Sequence, residues 1–184
     1  MDGTITRPML DFPAIKAEMG IGDTPILEAL EQMDPNRRPV CDAILLRHEL
    51  AAAHGSELNI GCRGVLDWAY QQQIATALIT RNSAANVRIV LEKHGLHFDA
   101  IVSRDDAAPK PDPAPLALAC ELLGTSAGEA WMIGDGQYDV EAGNAAGAAT
   151  LWLSHGRTRL FQARPWRTVH DLVELLFLLD EEFA

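Results

Sequence analysis

Cysteine is scarce: Cys41, Cys62 and Cys120 are the only three in 184 residues, far apart and without a CxxC pair. That excludes a disulfide framework and a zinc ribbon, and suits buried thiols in a reducing compartment. Positive charge is short as well. Fifteen Lys and Arg face 26 Asp and Glu, leaving a formal charge of −11. Such a surface repels polyanions, which argues against nucleic acid and anionic membranes as partners unless a basic patch forms. Arg37, Arg38, Arg157, Arg159, Arg164 and Arg167 are scattered and read as solvated loop positions. Long apolar runs are missing too: LVELLFLL is too short to span a bilayer and carries Glu174. Asp2, Asp11, Pro8 and Pro13 leave no apolar segment for a signal peptide, so a cytoplasmic location is expected.

What remains is ordinary globular composition, with 48% hydrophobic and 22% charged residues. The length suits one core with one accessory lobe. Residues 8–62 read as helices only. FPAIKAEMG spaces Phe12, Ile15 and Met19 at helical intervals and stops at Gly20. Thr24 reads as an N-cap with Pro25 at the first helical position, and PVCDAILLRHELAAAHG reads as a third helix ending at Gly55.

From residue 64 the pattern alternates. GVLDWAYQQQ reads as helix, IATALIT as strand, SAANVRIVLEKHG as a capped helix and AIVSR as strand. DPAPLALACELLG, AWMIGD, YDVEAGNAAG and TLWLS continue the alternation, and Thr168 with Asp171 suggests a capping box before a last helix. Strands and helices at this interval imply βαβ units and a parallel sheet covered on both faces. Ligands of such sheets bind beyond the carboxyl ends of the strands.

That rule selects four short stretches. GDGQYD puts Asp135 at a strand end and Asp139 four residues on, where two carboxylates could hold a hard cation such as Mg²⁺; a turn residue and a helix cap are the equal alternative. ITRN ends a strand in Thr80, whose hydroxyl could meet a phosphoryl oxygen, although Thr is common at strand ends. APKPDPAP fixes Lys110 between prolines, either as a phosphate-neutralising ammonium or as a surface lysine. MDGT offers Asp2, with Gly3 allowing close backbone approach to a ligand, or else a plain Asp-Gly turn.

In this order, DGT, the strand ending in Thr80, Lys110 before a capped helix, and GD135xxxD139 after a strand, the chain resembles the haloacid dehalogenase-like (HAD) superfamily. More narrowly it is similar to the phosphatases with a small helical cap, phosphoglycolate phosphatase-like and β-phosphoglucomutase-like enzymes. The resemblance implies an α/β fold: a Rossmann-like parallel sheet from residues 1–7 and 63–184, with an all-helical cap insertion at 8–62. It also implies a Mg²⁺-dependent phosphatase of small phosphorylated metabolites working through an aspartyl-phosphate. The alternatives are a phosphomutase-type phosphotransferase and a non-catalytic Mg²⁺- or phosphate-binding remnant.

By the resemblance, Asp2, Thr80 and Lys110 are catalytic, Gly3, Asn82 and Arg63 join Thr80 and Lys110 in binding substrate or phosphate, and Asp2, Asp135 and Asp139 bind Mg²⁺. A monomer or homodimer is expected. The family's first motif reads D-x-D-G-T, so Met1 matches the "x". The nucleophile and the first core strand are then expected upstream, with Met1 an internal methionine and the 184-residue chain inactive.

Overall fold

A computed structural model describes residues 1–159 and 161–183. The chain divides into two compact units, one of Met1–Pro8 with Glu57–Ala184 and one of Met9–Ser56.

The smaller unit is helical: α1 (Phe12–Met19), α2 (Ile26–Glu31) and α3 (Arg38–Gly55). Asp11 caps α1 by accepting the Ala14 N–H, and Gly20 ends it in the left-handed region. The expected cap at Thr24 shifts by one: Pro25 is the N-cap, Ile26 begins the helix, and no side chain caps it. Ile15, Met19, Ile26, Leu30, Cys41 and Leu45 form the core of this unit. Arg47 and His48 of α3 both pair with Glu18.

The larger unit follows with α4 (Cys62–Gln71), β1 (Ala77–Ile79), α5 (Ala84–His94), β2 (Ala100–Val102) and α6 (Ala114–Leu123). It continues through β3 (Trp131–Gly134), α7 (Gln137–Ala146), β4 (Ala149–Leu153), β5 (Arg167–Val169) and α8 (Leu172–Glu182). Among the described residues every pairing between these named strands is parallel, as the alternation predicts, but the strands form two sheets, β1–β2 and β3–β4–β5. Between β1 and β3 lies an apolar cavity of about 440 Å³, lined among others by Leu78, Ile79, Leu116, Met132 and Ile133. Two departures concern the end of the chain. Thr168 lies inside β5, which the sequence does not announce, so no capping box precedes α8. Asp171 alone caps that helix, accepting from Val173 N and Glu174 N at 2.9 Å each.

Packing follows the apolar pattern. Leu151 and Leu153 of β4 meet Leu172, Leu175 and Leu179 of α8, with Cys62 of α4 in the same cluster. Ile79, Val102, Leu116, Ala119 and Met132 make a second cluster. α7 lies so close to the sheet that a Cβ on Gly143 would stand 2.3 Å from Thr150 Cγ2. All three cysteines are free and buried. Among the described residues no helix is long and apolar enough to cross a membrane.

Candidate active site

The site is built where β1 and β3 end. Thr80 directly follows β1, and its Oγ1 accepts the Asn82 N–H at 3.1 Å, which tightens the turn into α5. Asn82 is buried; its Oδ1 accepts from Ser83 N and from Asn86 Nδ2, both at 2.9 Å. That fixes the amide so that Nδ2 points to Asp2 Oδ2, 3.3 Å away. Ser83 then caps α5 by accepting the Asn86 N–H.

Lys110 is only 7% exposed. Its ammonium donates to the Ile79 carbonyl at 3.1 Å and to Asp139 Oδ1 at 2.6 Å, tying the end of β1 to the first turn of α7. The other oxygen of Asp139 accepts the Gly136 N–H at 3.0 Å. Burial pushes the Asp139 carboxyl up, but the charge and hydrogen bond of Lys110, with the Gly136 N–H, hold it below its ordinary value of 3.8. Glycine at position 134 leaves room for Asp139, because a Cβ there would stand 2.1 Å from Asp139 Cγ.

Asp135 follows β3 and faces the DGT turn. Thr4 Oγ1 approaches Asp135 Oδ1 at 3.4 Å. Gly3 has φ +79°, and a Cβ on it would fall 2.3 Å from Asp135 Oδ2. The backbone of the turn therefore lies directly on the carboxylate, an approach only glycine allows. Three carbonyls of the turn converge on one side chain: Asn59 Nδ2 donates to Gly3 O at 3.1 Å, Thr4 O at 2.8 Å and Thr6 O at 3.1 Å.

Thus Asp2, Gly3, Thr80, Asn82, Lys110, Asp135 and Asp139, seven of the eight residues expected from sequence, are linked by these contacts. Arg63 is not among them. Its Nη2 donates to the His94 carbonyl at 2.5 Å, and it lines a separate cavity with Thr76 and Asp99, which precede β1 and β2. The physical reason is the register of α4: Cys62 is drawn into the core, so the next residue faces outward at the amino ends of the strands.

The three carboxylates also depart from the expected metal set. Among the described residues no three His, Cys, Asp or Glu side chains gather as metal ligands. Asp139 is committed to Lys110 and Gly136, and Asp135 Oδ2 is paired with Arg157 Nη2 at 3.2 Å. The donor chemistry still fits Mg²⁺, which is commonly held by one or two carboxylates and completes its shell with water and phosphate oxygens. Asp135 and the backbone of the DGT turn pressed against it supply such hard oxygens.

Three residues of the site escape sequence reasoning: Asn59, His155 and Arg157. His155 Nε2 lies 2.6 Å from Gly3 O, and Arg157, expected to be a solvated loop residue, also donates to Asp135 O at 3.0 Å. The positive φ of His155 directs the turn that presents them, and nothing in SHGRT signals it.

The profile of the family described as haloacid dehalogenase-like hydrolase matches residues 15–153. The chain belongs to this family of hydrolases. Among its curated relatives, a phosphoglycolate phosphatase of Pseudomonas fluorescens is 32% identical over 207 aligned positions, covering 96% of this chain and 76% of the relative. Pyrophosphatase PpaX of Bacillus velezensis is 35% identical over 113 residues; there the match covers 59% of this chain and 51% of the relative, so it spans about half that protein's length. Among solved structures, a hydrolase from Pseudomonas syringae superposes with a TM-score of 0.83 at 22% identity, covering 98% of this chain and 95% of the other. CbbY from Rhodobacter sphaeroides, solved in complex with phosphate, gives 0.73 at 20% identity, covering 95% and 93%. These structural likenesses establish the fold.

Proposed function

We propose that the site hydrolyses phosphate monoesters of small metabolites. The observation that carries this reading is the meeting of Asp2, the Thr80–Asn82 turn, Lys110 and Asp135 at the carboxyl ends of β1 and β3. The relatives named for phosphoglycolate phosphatase and pyrophosphatase support the same class of reaction.

In this reading the Thr80 hydroxyl and the Lys110 ammonium hold phosphoryl oxygens, and Asn82 orients Asp2. Asp2 protonates the departing alkoxide oxygen, then takes a proton from the attacking water. Asp135 and the backbone carbonyl of Asp2 would hold Mg²⁺, with Asp139 supporting through Lys110. When bound, the ion neutralises charge that would otherwise repel an anionic nucleophile. In this reading a carboxylate accepts the phosphoryl group, forming an aspartyl-phosphate, and the family motif D-x-D-G-T would set it two positions before Asp2.

The test compares p-nitrophenyl phosphate hydrolysis by two proteins, the 184-residue chain and a form extended upstream by an apolar strand ending in Asp. The extended form should release phosphate with Mg²⁺ and lose that activity on Asp135→Ala; release of none would overturn the reading. One observation favours a non-catalytic binding protein instead: Asp135 and Asp139 are each already paired with a cation of the protein itself. Binding of Mg²⁺ or inorganic phosphate without turnover by the extended form would select that alternative.

A further inference from the structure

The segment after β4 is folded to reach back into the site. Ser154 N still bonds Val169 O and His155 N bonds His170 O, each at 2.9 Å, so the strand pairing runs on to residue 155. His155 and Gly156 then adopt positive φ, +51° and +74°, and the chain reverses. The turn closes when Arg157 N and Nε both donate to Ser154 O at 2.9 Å. A left-handed histidine is strained unless its surroundings hold it, and here the ring is held at 2.6 Å from Gly3 O. The reversal puts the Arg157 guanidinium on Asp135, with Nη2 3.0 Å from the carbonyl and 3.2 Å from Oδ2. Trp152 Nε1 donates to the same carbonyl at 3.2 Å.

We infer that Arg157 is the resident counter-cation of Asp135, a positioning residue that holds the carboxylate against the DGT turn and yields it when a divalent ion binds. The argument is one of shared oxygens. The guanidinium occupies a lone pair of Asp135 Oδ2 and its charge repels a divalent ion brought to the same carboxylate, so the pair opposes the ion's affinity and ion binding loosens Arg157. His155, engaged with Gly3 rather than with a carboxylate, is untouched by that exchange and keeps the turn in place. The side chains of Arg157 and Asp135 are 38% and 20% exposed, so the competition is modest and the exchange reversible.

The inference rests on the Mg²⁺ reading of the site, and the experiment separates the two. Mg²⁺ alone is titrated into the full chain by isothermal calorimetry, with no substrate and no turnover, for wild type, Arg157→Gln, Arg157→Lys and Asp135→Asn. Arg157→Gln keeps an amide donor and removes the charge, and should lower the Mg²⁺ dissociation constant about two- to fivefold, the range of a partly exposed ion pair. Arg157→Lys keeps the charge and should stay near wild type. Thermal unfolding of each variant verifies that the turn still folds. Binding that Asp135→Asn abolishes, with Arg157→Gln equal to or weaker than wild type, overturns the role of Arg157 and leaves the metal reading standing. Binding unaffected by Asp135→Asn overturns both.

Discussion

Lys110 Nζ stands 2.6 Å from Asp139 Oδ1, the lysine buried and the carboxylate mostly so, and the same ammonium bonds the carbonyl that ends β1. Lys110→Met leaves the carboxylate buried without its cation, which costs about 3–5 kcal/mol of stability. The urea midpoint should fall accordingly, and the double variant Lys110→Met/Asp139→Asn should recover part of the loss. Recovery of none would mean that the pair is not coupled.

The same pair sets an acid limit. The folded Asp139 carboxyl is held below 3.8, so the unfolded chain takes up the proton first. Its contribution is therefore fully present above about pH 5 and is lost as pH falls through the lowered folded value. Stability measured by denaturant titration from pH 6 downward should decline less steeply in Lys110→Met than in wild type. Equal slopes would remove Lys110 as the cause.

How much of this was legible beforehand follows from what decides each feature. The strand and helix alternation was readable because IATALIT and TLWLS are apolar runs, and because Gly95 and Gly124 stop helices in the left-handed region. Thr80, Asn82 and Asp135 were readable because each lies just past a strand end. β5 was not, since Arg167 and Thr168 are exposed and only Val169 is buried. Arg63 was misplaced because the facing of α4 depends on Cys62 entering the core, which one helix sequence does not settle. His155 and Arg157 were missed because their roles depend on tertiary backbone angles rather than residue type.

Asn59 is the hub of the DGT turn, with one amide serving the carbonyls of Gly3, Thr4 and Thr6. Asn59→Asp removes every one of these donations and sets a carboxylate against three carbonyl oxygens. Losing such partners typically costs about 1–3 kcal/mol for each acceptor left without one. Amide exchange at residues 4–6 should accelerate more than exchange in β4; uniform acceleration would point to global destabilisation instead.

Cys62 is buried beside Leu151 and Leu172, and desolvation pushes its thiol up to about 11. Its thiolate is therefore scarce at neutral pH. Iodoacetamide at pH 7.5 should leave the native protein unmodified at Cys62 by intact mass, while urea should expose Cys41, Cys62 and Cys120 together. Rapid native labelling at Cys62 would contradict the packing described here.

Gly134 closes β3 against Asp139, and the space a methyl group would need is already taken by that carboxylate, 2.1 Å away. Gly134→Ala must push Asp139 aside, at a cost of about 1–3 kcal/mol as in other overpacked sites. Moving Asp139 also slackens the hold on Lys110, so the variant tests whether the ammonium's position matters beyond stability. Gly143→Ala, whose added methyl would meet Thr150 and Met132 instead, is the control for crowding alone. In the extended form, at matched folded fraction, Gly134→Ala should lose phosphate release and Gly143→Ala should retain it. Equal retention by both would show that displacing Asp139 does not disturb the site, and the role assigned to Lys110 on the transferring group would fall with it.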